Sequence, residues 1–165
     1  MGLSLRPVCL DDEAFLFQVY AGTRAEEMAV VPWNAEQKQA FLQMQFEAQR
    51  QSYQQEFPDA EYRIILRDGV DAGRLIVDRS DDESILLIDI ALLPEHRNAG
   101  IGSSLIRDLQ VEAAQEEKPL RLHVENFNPA FRLYERLGFA KIAESGLYWL
   151  MEWKADSVTT ECQKN

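Results

Sequence analysis

The sequence predicts a mixed α/β fold of the α+β kind: one central, twisted, mostly antiparallel sheet of about seven strands flanked by about four helices. Three observations carry this expectation. Apolar periodicity along the chain reads as strand, two helices, three strands, helix, strand, helix, two strands. Asp68-Gly69 separates two strand-like runs and is a two-residue hairpin signal that requires positive φ at both positions. The run 85–93 is so uniformly apolar that it suits a central strand covered on both faces.

At 165 residues, 46% of them hydrophobic, the chain suits a single domain with a sizeable core, expected over residues 1–153, followed by a polar, disordered tail at 154–165. The net charge of −11 and pI near 4.6 argue against nucleic acid or an anionic membrane as partner, because phosphate binding needs basic surface. A cationic substrate is easier to accommodate. Cys9 and Cys162 lie at opposite ends and there are only two histidines, so neither a disulfide framework nor a metal site is expected. The longest apolar runs, such as 85–88 and 90–93, are far too short to span a bilayer. Residues 1–7 lack the charged start and long apolar core of a secretion signal, which makes the cytoplasm the default location.

In chain order, residues 3–8 alternate apolar and polar around Pro7, as an edge strand can. Asp11 and Asp12 are placed to cap a helix over 12–25, whose Ala14, Phe15, Phe17, Val19 and Tyr20 form an apolar stripe. After a loop through Val30, Val31, Pro32 and Trp33, Asn34 is the expected N-cap of a second helix over 35–57. Phe41, Met44, Ala48 and Gln51 mark one face of that helix, widened by Leu42, Phe46 and Tyr53, and its eight glutamines between 37 and 55 read as a solvated side. Strands follow at 61–67 and 70–77, with Gly73 signalling a bulge in the second. Beyond the central strand come a helix over 104–116, a strand at 120–125, a helix over 129–137, a Gly138-Phe139 stop, and strands at 139–143 and 147–153. Tyr148, Trp149 and Trp153 in the last strand serve either an exposed homodimer edge or the chain's own core.

Between the central strand and the next helix stands Arg97-Asn98-Ala99-Gly100-Ile101-Gly102, followed by Ser103 and Ser104. The first N–H groups of a helix have no internal partner, and the helix dipole adds about half a positive charge there, so an anion is favoured. Glycine at 100 and 102 lets a diphosphate reach the backbone, although two glycines by themselves equally serve to turn the chain. Two other phosphate loops fail here. No lysine follows Gly102, as a P-loop requires, and Leu105 stands where a dinucleotide fingerprint needs its third glycine.

The turn at 97–102 has the form R-x-x-G-x-G, and residues 124–139 read V-E-N-F-N-P-A-F-R-L-Y-E-R-L-G-F. With the element order, these two stretches resemble the glycine turn and the terminal motif of the GNAT superfamily of acyl-CoA-dependent N-acyltransferases. The resemblance covers most of the chain and is strongest over 86–139. It implies splayed central strands that receive the pantetheine arm like a missing strand, with acetyl-CoA as donor, coenzyme A as product and no metal. By the same resemblance the backbone amides of Asn98, Ala99, Gly100, Ile101, Gly102 and Ser103 would hold the pyrophosphate, with Arg97 adding charge at its edge. Ile90 and Leu92 would supply backbone contacts. Leu92 matches the family's bulged position, whose N–H would face the thioester carbonyl as an oxyanion donor.

The resemblance also implies that Tyr134 protonates the leaving thiolate, a transfer that a phenol of pKa ~10 and a thiol of ~8.5 permit. Spacing from Ala130 and Leu133 equally makes Tyr134 a core residue. Asn128 either caps the following helix or binds the pantetheine amide. Attack needs a neutral amine, and a lysine-like amine is neutral only about once in 2,500 at pH 7, so a base is wanted. The position at which many family members carry one is Leu86 here, which cannot serve. His123 and Glu125 are candidates because residues two apart on a strand share a face, with Val124 turned away. His123 resembles a histidine used by some amino-terminal acetyltransferases of the superfamily, and is otherwise a structural residue. Asp89 is a third candidate: a lone carboxylate in an apolar strand is costly, so it either faces the substrate or pairs with a cation such as an arginine.

Acceptor choice in this fold falls to residues 20–33 and the last hairpin. Glu26, Glu27, Met28 and Trp33 suit an amine with an apolar body, although solvated helix-end charges explain the glutamates equally well. The expected function is acetyl transfer from acetyl-CoA to a primary amine of a small molecule or peptide, by direct attack. The alternative is a non-catalytic acyl-CoA-binding or regulatory module of the same fold.

Overall fold

Asp68 and Gly69 both take positive φ, 50° and 81°, and close a tight hairpin between β2 (Glu61–Arg67) and β3 (Val70–Asp78). Its register pairs Arg67 with Val70 and Ile65 with Gly73, leaving Ala72 as an extra residue, so the bulge falls beside Gly73 as expected. Gly73 has a second reason to be glycine. A Cβ there would stand 2.2 Å from the carbonyl oxygen of Ala91 on β4 (Ile85–Leu92), so only glycine admits that backbone.

The protein is described here by a computed structural model covering residues 1–156. Cys162 and residues 157–165 of the expected tail lie outside the described residues. The remaining strands are β1 (Leu3–Pro7), β5 (Leu120–Glu125), β6 (Ala140–Ser145) and β7 (Tyr148–Trp153). The helices are α1 (Glu13–Thr23), α2 (Ala25–Ala29), α3 (Ala35–Glu56), α4 (Ile101–Gln115) and α5 (Phe131–Arg136). All seven strands belong to one sheet in the order β1-β2-β3-β4-β5-β7-β6. β4 and β5 pair in parallel, whereas β1/β2, β2/β3, β5/β7 and β6/β7 are antiparallel. The mixed, mostly antiparallel sheet expected from the sequence is the sheet observed.

The chain falls into two compact units, Met1–Asp78 with Asp89–Ile101, and Arg79–Ile88 with the residues from Gly102 onward. In the first, Val19, Ile64, Ile65, Ala72, Leu75 and Ile76 are buried, and Phe46 of α3 stacks edge-on against Phe17 of α1 at 5.7 Å. In the second, Leu105, Ile106, Leu109 and Ala113 turn one face of α4 inward, and Leu120, Leu122, Val124 and Met151 are buried in the strands. Arg79 grips Glu112 of α4 through two hydrogen bonds, 2.5 and 3.0 Å.

Several local expectations are corrected. The first helix stops at Thr23, and α2 forms within what reads as loop. Asp12 does not cap α1: its carboxylate accepts from Arg6 and from the backbone N–H of Cys9 instead. Asn34 does cap α3, accepting from Gln37 N–H at 2.8 Å. The inward stripe of α3 runs through Leu42, Phe46, Gln49 and Tyr53, while Met44, Ala48 and Gln51 are exposed. Two of the glutamines are not solvating: Gln45 accepts from Tyr20 and Arg24, and Gln49 from Arg74. β4 is not sealed on both faces, since Ile85, Leu87 and Ala91 are buried but Leu86, Ile88, Ile90 and Leu92 are half-buried. The aromatic β7 is no sheet edge, being paired on one side with β5 and on the other with β6.

Candidate active site

The end of β4 leads into a 3-10 turn at Pro94–His96 and then into the glycine turn. Leu93 N–H donates to Ala72 O on β3 at 2.9 Å. Ile90 and Leu92 are both half-buried at this end of β4. These are the two positions expected to offer free backbone. Leu92 O is already engaged, accepting from Arg97 Nε at 3.1 Å. The Arg97 side chain therefore folds back on the strand end, and its Nη2 would lie 3.4 Å from a Cβ on Gly22 of α1.

Asn98 and Gly100 both adopt left-handed backbone, with φ of 61° and 80°, which swings the chain sharply into α4. The helix begins at Ile101, three residues before the amphipathic run expected at Ser104, so Gly102 and Ser103 lie in its first turn with N–H groups that have no helical acceptor. A Cβ built on Gly100 or on Gly102 meets nothing within 4 Å. Open space over amide donors at the start of a 15-residue helix is a fit for an anionic group such as a diphosphate.

In the second unit, the ladder between β4 and β5 joins Ile85, Leu86 and Leu87 to Leu120, Arg121 and Leu122. Past it, β4 runs five residues further and β5 three. His123 and Glu125 share one face of β5, His123 exposed and Glu125 half-buried, while Val124 turns into the core at 4% exposure. Asn128 Oδ1 accepts from Ala130 N–H at 2.9 Å, so its side chain braces the approach to α5. Tyr134, half-buried on α5, sets its ring edge-on to Phe139 at 5.9 Å, and Gln110 of α4 ties the end of that helix by donating to Leu137 O at 2.7 Å.

Of the three candidate bases, Asp89 is the one with a strong partner. Its Oδ2 lies 2.5 Å from Arg74 Nε, and Arg74 Nη2 donates to Gln49 Oε1 at 2.8 Å. Arg74 is 7% exposed, so the pair answers the cost of a carboxylate in β4 by neutralising it. The sequence pointed to such an arginine without naming it. The available signal was a charge on β3 between Gly73 and the apolar run Leu75, Ile76, Val77, mirroring Asp89 in β4. Near the other end of α1, burial pushes the Tyr20 phenol up, and its hydroxyl donates to Gln45 Oε1 at 3.3 Å. Among the described residues no cluster of three or more His, Cys, Asp or Glu side chains is set to hold a metal, and no helix is long and apolar enough to cross a membrane.

A strand, a glycine turn, a helix and a tyrosine-bearing second motif, in this order, are the elements of an acyltransferase fold. The model of the GNAT acetyltransferase domain matches residues 58–141, and the chain belongs to that family. Its fold is similar to the PaiA N-acetyltransferase of Thermoplasma acidophilum in complex with coenzyme A, with a TM-score of 0.69, 18% identity, and coverage of 94% of this chain and 100% of that one. It is also similar to a GNAT family acetyltransferase of Elizabethkingia anophelis with acetyl-CoA bound (0.59, 15% identity, 93% and 98% covered). A third likeness is to the ribosomal-protein-S18-alanine N-acetyltransferase of Escherichia coli (0.61, 20% identity, 93% and 94% covered). No curated protein matches the chain.

Proposed function

We propose that this chain is an acetyl-CoA-dependent N-acetyltransferase, one domain over residues 1–153, acting in the cytoplasm on a primary amine of a small molecule or peptide. The observation that carries the reading is the turn at 97–102, where left-handed Asn98 and Gly100 deliver the chain into α4 with open space over Gly100 and Gly102. Family membership supports it, and two of the similar folds are complexes with coenzyme A or acetyl-CoA.

Acetyl-CoA supplies the activated acetyl thioester. The amides from Asn98 to Ser103 bind its diphosphate, and the N–H groups of Ile90 and Leu92 meet the pantetheine arm and the thioester carbonyl. The amine nitrogen forms the new C–N bond as the C–S bond breaks. Tyr134 gives its proton to the departing sulfur, and His123, with Glu125 on the same face of β5, takes the proton lost by the amine. Asp89, held by Arg74, keeps β4 in place rather than shuttling protons.

The test is release of free thiol from acetyl-CoA across a panel of amines. Tyr134→Phe should lower kcat on the order of a hundredfold while coenzyme A still stabilises the protein. Unchanged turnover would remove Tyr134 from its role, and coenzyme A binding without turnover on any amine would leave only a binding module.

A further inference from the structure

Within the first unit, one peptide group at the end of β4 is held at both of its polar atoms. Leu93 N–H donates to Ala72 O at 2.9 Å, and Leu92 O, on the same peptide, accepts from Arg97 Nε at 3.1 Å. The peptide before it carries Ala91 O and Leu92 N–H, and its oxygen packs so closely on β3 that only glycine fits at 73. The ladder with β5 reaches no further than Leu87. The last residues of β4 are thus fixed by β3 on one side and by Arg97 at the Leu92 carbonyl.

The place of the Arg97 guanidinium has a cause that involves no phosphate. Its side chain runs back five residues to Leu92 O, and Nη2 comes to rest on α1, 3.4 Å from where a Cβ on Gly22 would stand. Gly22 lies in the last turn of α1, which ends at Thr23. The final carbonyls of a helix have no internal partner, and the helix dipole is negative there, so a cation is favoured at that end.

We propose that Arg97 is a positioning residue for acyl transfer rather than a diphosphate ligand: through Leu92 O it steadies the end of β4, and with it the adjoining Leu92 N–H that meets the thioester carbonyl. This role rests on the acetyl-transfer reading of the site. The link is short, because two neighbouring peptide planes differ only by the φ and ψ of the residue between them. With the first plane packed on Gly73 and the second clamped at its oxygen and its N–H, the dihedrals of Leu92 have little room to drift. A donor that stabilises charge in a transition state must stand in place before that charge forms. Loosening it lowers kcat and leaves the binding of coenzyme A alone, since coenzyme A has no thioester carbonyl.

Two substitutions separate donor from charge. Glutamine sets an amide N–H as many bonds from Cα as the arginine Nε but is neutral, whereas methionine keeps the reach and has neither donor nor charge. Arg97→Met should lower kcat about fivefold, the worth of one hydrogen bond, and speed hydrogen exchange at the Leu93 amide by about the same factor. Its dissociation constant for coenzyme A should stay within about twofold of the parent's. Arg97→Gln should recover most of the lost kcat and restore slow exchange at Leu93. Exchange and coenzyme A affinity need no turnover, so a parent protein inactive on every amine would count against the acetyltransferase reading while those two still decide whether Arg97 braces β4. The proposal is overturned if Arg97→Gln weakens coenzyme A about tenfold, as loss of a charge on the diphosphate would. It is equally overturned if the glutamine variant is as slow as the methionine one, or if Arg97→Met leaves kcat or exchange at Leu93 unchanged.

Discussion

Asp12 stands where a helix cap would stand but ties the end of β1 to the turn before α1. Sequence position suggests a helix cap, yet its carboxylate receives Arg6 Nη1 and Nη2 at 2.9 and 2.8 Å and Cys9 N–H at 2.8 Å, at 6% exposure. The Arg6 guanidinium first, and the Cys9 amide second, hold this carboxyl well below the usual carboxylate range. A depressed folded-state value means that the unfolded chain binds the proton more readily. The stabilisation is therefore complete above the unfolded value of about 3.9 and is lost as the pH falls through the folded one. Asp12→Asn should cost about 2 kcal/mol at neutral pH, and its deficit against the parent protein should shrink below about pH 4. Urea unfolding of both proteins across that range checks this, and a deficit independent of pH would contradict it.

At the scale of elements, the decisive piece is α4 with the turn before it. Its helix was legible from residue 104 onward but not its first turn, because Gly102, Ser103 and Ser104 are poor helix formers and periodicity has no purchase on three residues. What starts the helix at Ile101 is the backbone itself, left-handed at Asn98 and Gly100. That separates fold from ligand at Gly102, where an added Cβ meets nothing within 4 Å. Gly102→Ala should fold at least as well as the parent, with a gain of up to about 1 kcal/mol from helix propensity. Its affinity for coenzyme A should nonetheless fall on the order of tenfold, because the methyl group stands over amides that would meet the diphosphate. Thermal unfolding with and without coenzyme A reads both quantities from one sample, and a loss of fold together with affinity would refute the separation. The inward face of α3 departs from apolar periodicity for a different reason. Met44 and Ala48 are apolar but exposed, whereas Gln45 and Gln49 turn inward because Arg24 and Arg74 are there to receive them.

Over the whole molecule, the succession of elements and the glycine turn before α4 were legible because both are written in neighbouring residues: Asp68-Gly69 closes a hairpin, and 97–102 carries its own glycines. The Arg74–Asp89 pair, and its tie to Gln49 on α3, were not, because partners 15 and 25 positions apart leave no local pattern. Net charge belongs to the scale of the whole chain as well, and it bears on both substrates of the proposed reaction. At −11 the protein attracts a cationic amine and repels the phosphates of acetyl-CoA, while salt screens both effects with a Debye length of about 8 Å at 0.15 M. Raising ionic strength should therefore increase KM for a di- or polycationic acceptor and decrease KM for acetyl-CoA, with little change in kcat. Initial rates measured from low to high salt decide the matter. If both KM values move together, or neither moves, the acidic surface does not govern encounter, and selection of the amine rests on the contacts made by residues 20–33 and the β6–β7 hairpin.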